Sequence, residues 1–357
     1  MPDIILFGAT GYTGRLTAAA LGRRGASFAV AGRNPAALEE LAAECGAVDV
    51  HVADAADSRT LVRALKDSKV LLTCVGPFVE FGTAAVHAAL EAGVHYLDST
   101  GEGKFIRHLI EQDKAARTAG IAMIPAMGFD EVPCDVAVAH ATQGLERPHV
   151  VATYAVPTTP SAGSLRSAIG IMLSAGRRIH AGAPEDFFLA DRKRVAPMPP
   201  PLGPKTSISA PLAMGDVAPL LGSLEAFETY VTIGPVQERL ARVARAPLGA
   251  FIHSTPGRKL LSAAAARFPE GPDERARNKW WTVLVEARSG RRWRNVALQG
   301  KDVYGLTAET LSAGALAMAD PRYASSGVLS PVQGFGVDLL EKELRRFGVS
   351  ITSFGDT

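Results

Sequence analysis

Short apolar runs alternate with stretches of helical period through the first third of the chain. Ile4 to Phe7 runs straight into glycines at 8, 11 and 14, and Leu16, Ala19, Ala20 and Leu21 then keep helical spacing up to Gly25, a natural stop. Phe28 to Ala31 is a second compact strand. Asn34-Pro35 supplies a cap and a first-turn proline for a helix carrying Leu38, Leu41 and Ala42, ended by Gly46. Val48 to Val52 reads as a third strand, Arg59 to Lys66 as a short helix, and Val70 to Val75 as a fourth strand buried on both faces and closed by Gly76-Pro77. The pattern then predicts a helix from about Phe81 to Ala92, a strand over His95 to Asp98, a helix from Phe105 to Ala119 and a sixth strand from Ile121 to Ile124. Six apolar runs joined by five helical patterns predict an α/β fold, a Rossmann-type doubly wound parallel sheet with right-handed connections. In such a sheet ligands sit at the C-terminal ends of the strands.

Beyond Pro133 the character of the chain changes. A helix from Asp135 to Thr142 leads into Val150 to Val156, whose β-branched residues suggest the first strand of another sheet. Ser161 to Ser164 caps a helix bearing Leu165, Ile169, Met172 and Leu173, predicted to run to about His180. Pro184 to Pro219 is proline-rich yet carries Phe187, Phe188, Leu189 and Met198, which suits an ordered loop or lid. Gln237 to Phe268 has helical spacing, broken at Pro247 and Pro256. Trp280 to Ala287 and Trp293 to Gln299, joined through Ser289-Gly290, form the clearest hairpin; helices over Thr307 to Ala319 and Gly336 to Phe347 and a strand over Val349 to Phe354 follow. The expected organisation is a dinucleotide-binding domain over residues 1–132, a second α+β substrate or dimerisation domain over 133–310, and a C-terminal piece, 311–357, packing back on the first domain.

Composition narrows the function classes. Basic and acidic side chains number 38 and 36, so nothing in the whole-chain charge selects nucleic acid as a partner. Cys45, Cys74 and Cys134 are odd in number, far apart and without C-x-x-C spacing, which argues against a disulfide framework and a zinc site and for a reducing compartment. No apolar run reaches the length of a membrane span, and the first strand starts at once after Asp3, so a cytoplasmic protein is expected. Charge is uneven in one place. Pro235 to Lys301 holds fourteen Lys or Arg against five Asp or Glu. This is either a solvated face or a docking surface for an acidic partner or an anionic membrane.

The candidate chemistry lies at the strand ends. Gly8-Ala9-Thr10-Gly11-Tyr12-Thr13-Gly14 lets backbone approach a pyrophosphate while the new helix turns its N–H groups toward the charge. The spacing is G-x-x-G-x-x-G, a departure from the commonest dinucleotide form. After the second strand, where an acidic residue would hold the ribose hydroxyls of NAD, stands Arg33, with Asn34 beside it. A guanidinium there favours a 2′-phosphate and hence NADP. Asp54 either reaches an adenine edge or caps nearby backbone.

With Ala31-Gly32-Arg33, Val75-Gly76-Pro77-Phe78, Tyr96-Leu97-Asp98, Gly101-Glu102, Gly128-Phe129-Asp130, Pro133 and Asp135 in place, the sequence resembles the saccharopine dehydrogenase-like oxidoreductases over nearly its whole length. Within them it is similar to the bacterial trans-acting enoyl reductases that serve polyketide synthases. The resemblance implies cofactor contacts at Gly8, Thr10, Gly11, Tyr12, Thr13, Gly14, Arg33, Asp54, Val75, Gly76, Pro77 and Phe78. Family members often carry a lysine in the helix after the arginine; here Ala37 stands near that place.

Three functions follow from this reading. The first is NADPH-dependent reduction of an enoyl thioester, with Tyr154, Ser161 and Ser164 as candidate hydrogen-bond donors, an apolar middle segment for an acyl chain, and an acidic acyl carrier protein as partner. The second is reduction of an amino acid imine, with Arg166, Arg177 and Arg178 as candidate clamps for a carboxylate. The third is a non-catalytic NADP-binding sensor or membrane-surface protein. Asp130-Glu131 more naturally caps the next helix than forms a catalytic pair, and the tryptophan hairpin suits either an oligomer or a closed monomer.

Overall fold

The computed structural model describes residues 1–156, 171, 174–234 and 271–355. They divide into two units: Met1–Val132 with Val303–Phe347, and Pro133–Asp302 with Gly348–Thr357.

The first unit is built on seven parallel strands. β1 (Ile4–Phe7), β2 (Phe28–Gly32) and β3 (Asp49–Val52) lie to one side, and β4 (Val70–Thr73), β5 (His95–Asp98), β6 (Ala122–Ile124) and β15 (Gly327–Val328) to the other. The order β15-β6-β5-β4-β1-β2-β3 contains the doubly wound arrangement in which the chain reverses direction between β1 and β4. β1, β2 and β4 are buried on both faces, which is why they are unbroken runs of apolar residues. The connecting helices are α1 (Tyr12–Arg23), α2 (Pro35–Cys45), α3 (Ser58–Ala64), α4 (Phe78–Ala92), α5 (Gly103–Glu111) and α6 (Asp113–Ala119). Glycines 46, 93 and 120 end α2, α4 and α6 in the left-handed conformation. The helix predicted over Phe105 to Ala119 is two, parted at Gln112. The strand β15 escaped prediction because two residues carry no period.

α7 (Val132–Thr142) opens the second unit. Its sheet runs β10-β11-β12-β7-β13-β14-β16, with β8 pairing to β12 and β9 to β8. The strands are β7 (His149–Ala155), β8 (Gly176–His180), β9 (Ala183–Phe187), β10 (Lys193–Ala196), β11 (Lys205–Ser209), β12 (Ala226–Thr232), β13 (Trp280–Ser289), β14 (Arg292–Lys301) and β16 (Ser350–Gly355). The hairpin β13–β14 turns through Gly290 at φ 59, a conformation glycine adopts without strain.

Two expectations are corrected here. The helix drawn to His180 is wrong at its end, because Gly176–His180 is a strand, its Gly176 packed so tightly that a Cβ would come 2.4 Å from Pro211. Pro184 to Pro219 carries three strands, β9, β10 and β11, that the reading as a loop or lid did not anticipate: β9 has four exposed residues out of five and no alternation, so nothing in its pattern marks it. The predicted helix within 237–268 and the starts of the one at 161–173 lie outside the described residues.

The C-terminal stretch is also divided differently from the expected cut at 311. α8 (Val303–Ala319), α9 (Pro331–Phe335) and α10 (Val337–Arg346) belong to the first unit, whereas β16 pairs with β14 in the second. α8 has thirteen buried residues and little amphipathic character, as befits a helix enclosed on all sides.

Candidate cofactor site

The glycine turn is shaped by backbone packing. Gly8 sits at φ 81, and a Cβ there would lie 2.7 Å from Val75 Cγ2, so β1 and the end of β4 meet closely at this point. Gly14 faces inward, and a Cβ on it would come 2.2 Å from the Gly8 carbonyl oxygen. α1 can therefore start close against the end of β1. Its N-cap is Gly11, which offers no side-chain hydrogen bond, and its first turn holds no acidic residue. A helix start of this kind turns N–H groups and a positive dipole end toward the edge of the sheet. That fits a pyrophosphate. Thr10 is steadied by Arg15, whose Nε donates to the Thr10 carbonyl at 3.1 Å, and the Tyr12 ring stands edge-on to Tyr304 at 5.1 Å.

Arg33 follows β2 and is exposed, with no ion pair or hydrogen bond to any described residue. Asn34 is placed differently from the expected cofactor contact: its side chain accepts from Ala37 N at 3.3 Å and caps α2. Asp54 follows β3 and is exposed, and its Oδ1 accepts from Ala56 N at 3.0 Å in a local turn. The N-cap of α3 is Asp57 instead.

Val75, Gly76, Pro77 and Phe78 join β4 to α4, which begins three residues earlier than its apolar pattern suggested. Phe78 is 5% exposed and lies 5.6 Å from the Phe105 ring. Behind this turn runs the loop that follows β5. Asp98 is fully buried, and its Oδ1 accepts from Thr100 N and Ala126 N, each at 2.8 Å, while Oδ2 accepts from the Tyr96 hydroxyl at 2.7 Å. Burial pushes the Asp98 carboxyl up to about 6, against the pull of these hydrogen bonds. A Cβ on Gly101 would lie 2.9 Å from Asp130 Oδ2, so the loops after β5 and β6 also touch. The loop after β6 is held in turn by α8: Phe129 N donates to Thr307 Oγ1 at 3.0 Å, and Thr310 Oγ1 donates to the Met127 carbonyl at 3.0 Å.

The first unit thus brings together Gly8 to Gly14, Arg33, Asp54 and Val75 to Phe78 at the C-terminal edge of one sheet. A model of the saccharopine dehydrogenase NADP binding domain matches residues 4–124. The match is to a domain family and covers about a third of the chain. It is the family the motifs pointed to. A trans-acting enoyl reductase of Mycobacterium ulcerans is 38% identical over 145 residues, 39% of this chain and 35% of the relative. Another, of Mycobacterium leprae, is 41% identical over 143 residues, 38% of this chain and 34% of the relative. The match spans about a third of the length of these curated relatives. Among solved structures, apo saccharopine dehydrogenase (L-Glu forming) from Saccharomyces cerevisiae has a TM-score of 0.67 at 13% identity over 100% of both chains, a likeness of fold.

The second unit holds the remaining candidates. Tyr154 is 4% exposed on β7, opposite Val283 of β13 and beside Val231 of β12. Ser161, Ser164 and Arg166 lie outside the described residues, as does the 235–270 part of the basic stretch with six of its fourteen Lys and Arg. Arg177 and Arg178 stand on β8, not on a helix. Arg178 is 7% exposed, pairs with Glu185 and Asp191 at 2.8 Å each, and lies over the Phe187 ring. Arg177 faces Asp186 at 3.6 Å. The sequence set Asp98 to Glu102 at a chemistry-bearing strand end and within the family's motifs, without giving Asp98 or Glu102 a role of its own. The signal available for Glu102 was the missing cap of α4, since Pro77 has no side-chain acceptor to offer.

Proposed function

We infer that this chain is an NADPH-dependent oxidoreductase that reduces the C=C bond of an enoyl thioester. The observation that carries the reading is the start of α1, uncapped by any side chain at Gly11, with Arg33, unpaired among the described residues, at the neighbouring strand end, in a chain 38–41% identical over 143–145 residues to trans-acting enoyl reductases. Bound NADPH supplies a hydride. The chain's own residues bind and orient: the Gly11–Gly14 turn takes the pyrophosphate on N–H groups, Arg33 takes the 2′-phosphate through paired charge-assisted hydrogen bonds, and Val75 to Phe78 line the far half. Tyr154, Ser161 and Ser164 remain the candidate donors to the thioester oxygen, where negative charge grows as the double bond is reduced. A carrier-bound acyl chain is the natural substrate for an enzyme that acts in trans, and the basic 235–301 stretch suits an acidic carrier protein.

The imine alternative loses one support, because Arg178 is already committed to two carboxylates and Arg177 faces a third. The test is NADPH consumption with a medium-chain trans-2-enoyl thioester, run beside NADH and beside Arg33→Ala. Turnover should prefer NADPH, and Arg33→Ala should weaken that preference by about tenfold, since one exposed guanidinium contributes about one decade to binding a phosphate. NADPH binding with no turnover would move the reading to an imine substrate or a sensor.

A further inference from the structure

The start of α4 holds a carboxylate that belongs to another loop. A helix leaves its first N–H groups without intrahelical partners, and α4 has Pro77 at its N-cap and no capping bond from it. The N–H groups of Phe78 and Val79 donate instead to Glu102, at 3.0 Å to Oε1 and 3.0 Å to Oε2. Glu102 is 6% exposed. Both hydrogen bonds are charge-assisted, and the helix dipole favours a negative group at that end. The brace is itself anchored: Glu102 N donates to Thr100 Oγ1 at 3.1 Å, and Thr100 N donates to buried Asp98. Gly82, one turn into α4, is packed so closely on Phe105 that a Cβ would come within 2.4 Å of its ring.

Two helix starts therefore meet the same sheet edge in opposite states. α1 has no acidic residue in its first turn and no capping bond from Gly11, a start suited to an anion from outside. α4 is already filled. Phosphate on α1 and Arg33 beyond β2 draw the adenosine half of a dinucleotide toward β2, and the other half must then run toward β4, the neighbour of β1 on its opposite side. That half meets the turn whose N–H groups Glu102 holds.

We propose that Glu102 is a positioning residue, its carboxylate fixing the Gly76–Val79 turn against which the nicotinamide half of the cofactor lies. The assignment rests on the cofactor reading above. A residue that only held the fold would weaken every ligand together when changed, whereas one that fixes this turn weakens the ligand that lies against it.

The experiment titrates the full chain with NADPH and, separately, with adenosine 2′,5′-bisphosphate, which lacks the nicotinamide half. Glu102→Gln keeps the shape but turns an NH2 group toward one of the two N–H donors. It should weaken NADPH by about tenfold, since a buried donor left unsatisfied costs about one decade or more, and leave the bisphosphate affinity unchanged. Hydrogen exchange at the Phe78 and Val79 amides should speed up in Glu102→Gln and further in Glu102→Ala. Equal loss of both ligands, or unaltered affinity with unaltered exchange, would overturn the assignment. An unsubstituted chain that binds neither ligand overturns the cofactor reading and this assignment with it, and is distinct from a variant that binds both as well as its parent.

Discussion

Gly14 isolates what a single missing carbon does. Alanine there would gain roughly 1 kcal/mol of helix propensity. It would also place a Cβ 2.2 Å from the Gly8 oxygen and 2.8 Å from the Ala9 oxygen, both backbone atoms that cannot turn aside. Overpacking of this kind costs roughly 1–3 kcal/mol, so the clash should win. Gly14→Ala is expected to lower the urea midpoint and to widen the α1 start enough to weaken NADPH binding; a midpoint raised by the better propensity would refute the packing argument. This residue was legible in the sequence because its spacing from Gly8 and Gly11 is local. The place of Arg33, directly after a strand, was legible for the same reason. Glu102 was not, because what it does depends on two amides more than twenty residues earlier in the chain, and no spacing rule links them.

The loop after β5 behaves as one element organised around Asp98. Its ordinary carboxyl value of 3.8 is pushed up to about 6 by burial, so between about pH 4 and pH 6 the folded chain holds a proton that the unfolded chain has released. The Asp98 contribution to stability is therefore greatest below about pH 4 and is lost as pH rises through about 6, by at most about 3 kcal/mol. Asp98→Asn should remove that slope. The amide oxygen can still accept from Thr100 N and Ala126 N, which share Oδ1, and the amide NH2 can donate to the Tyr96 oxygen. Unfolding measured from pH 4.5 to 7.5 should then show the variant gaining on the parent with rising pH and at least matching it at pH 7. A gap that widens in the other direction would mean that the carboxylate is held by more than these three bonds. At this scale the strongly periodic parallel strands were readable, since burial on both faces writes unbroken apolar runs. β8 and β9 were not: they are short, carry Arg177-Arg178 and Glu185-Asp186, and are paired by charges across the register that hydrophobic periodicity does not record.

The first unit is discontinuous in the chain, and this has a consequence for folding. α8 packs against α1 and against β1, β4 and β5, and it buries Leu306, Leu311, Ala315 and Met318. Arg24, only 11% exposed, reaches Glu309 of α8 at 2.7 Å and Glu343 of α10 at 2.6 Å, tying the returning segment to the end of α1. The start of this segment at Val303 was hidden in the sequence because an evenly buried helix has no polar face to mark where it begins. Burying a Leu or Met side chain contributes roughly 1.5–3 kcal/mol, so three such residues with their newly exposed partners amount to about 10 kcal/mol. That is comparable to the whole stability of a domain, about 5–15 kcal/mol. Residues 1–132 alone, although they contain every predicted cofactor contact and the whole family match, should therefore lack a cooperative unfolding transition. Joining 303–347 to them through a flexible Gly/Ser linker should restore both the transition and binding of adenosine 2′,5′-bisphosphate, followed by circular dichroism and calorimetry. A cooperative transition in 1–132 by itself would show that α8 decorates a sheet already stable without it, and the ion pairs at Arg24 would then be surface fastenings rather than part of what closes the fold.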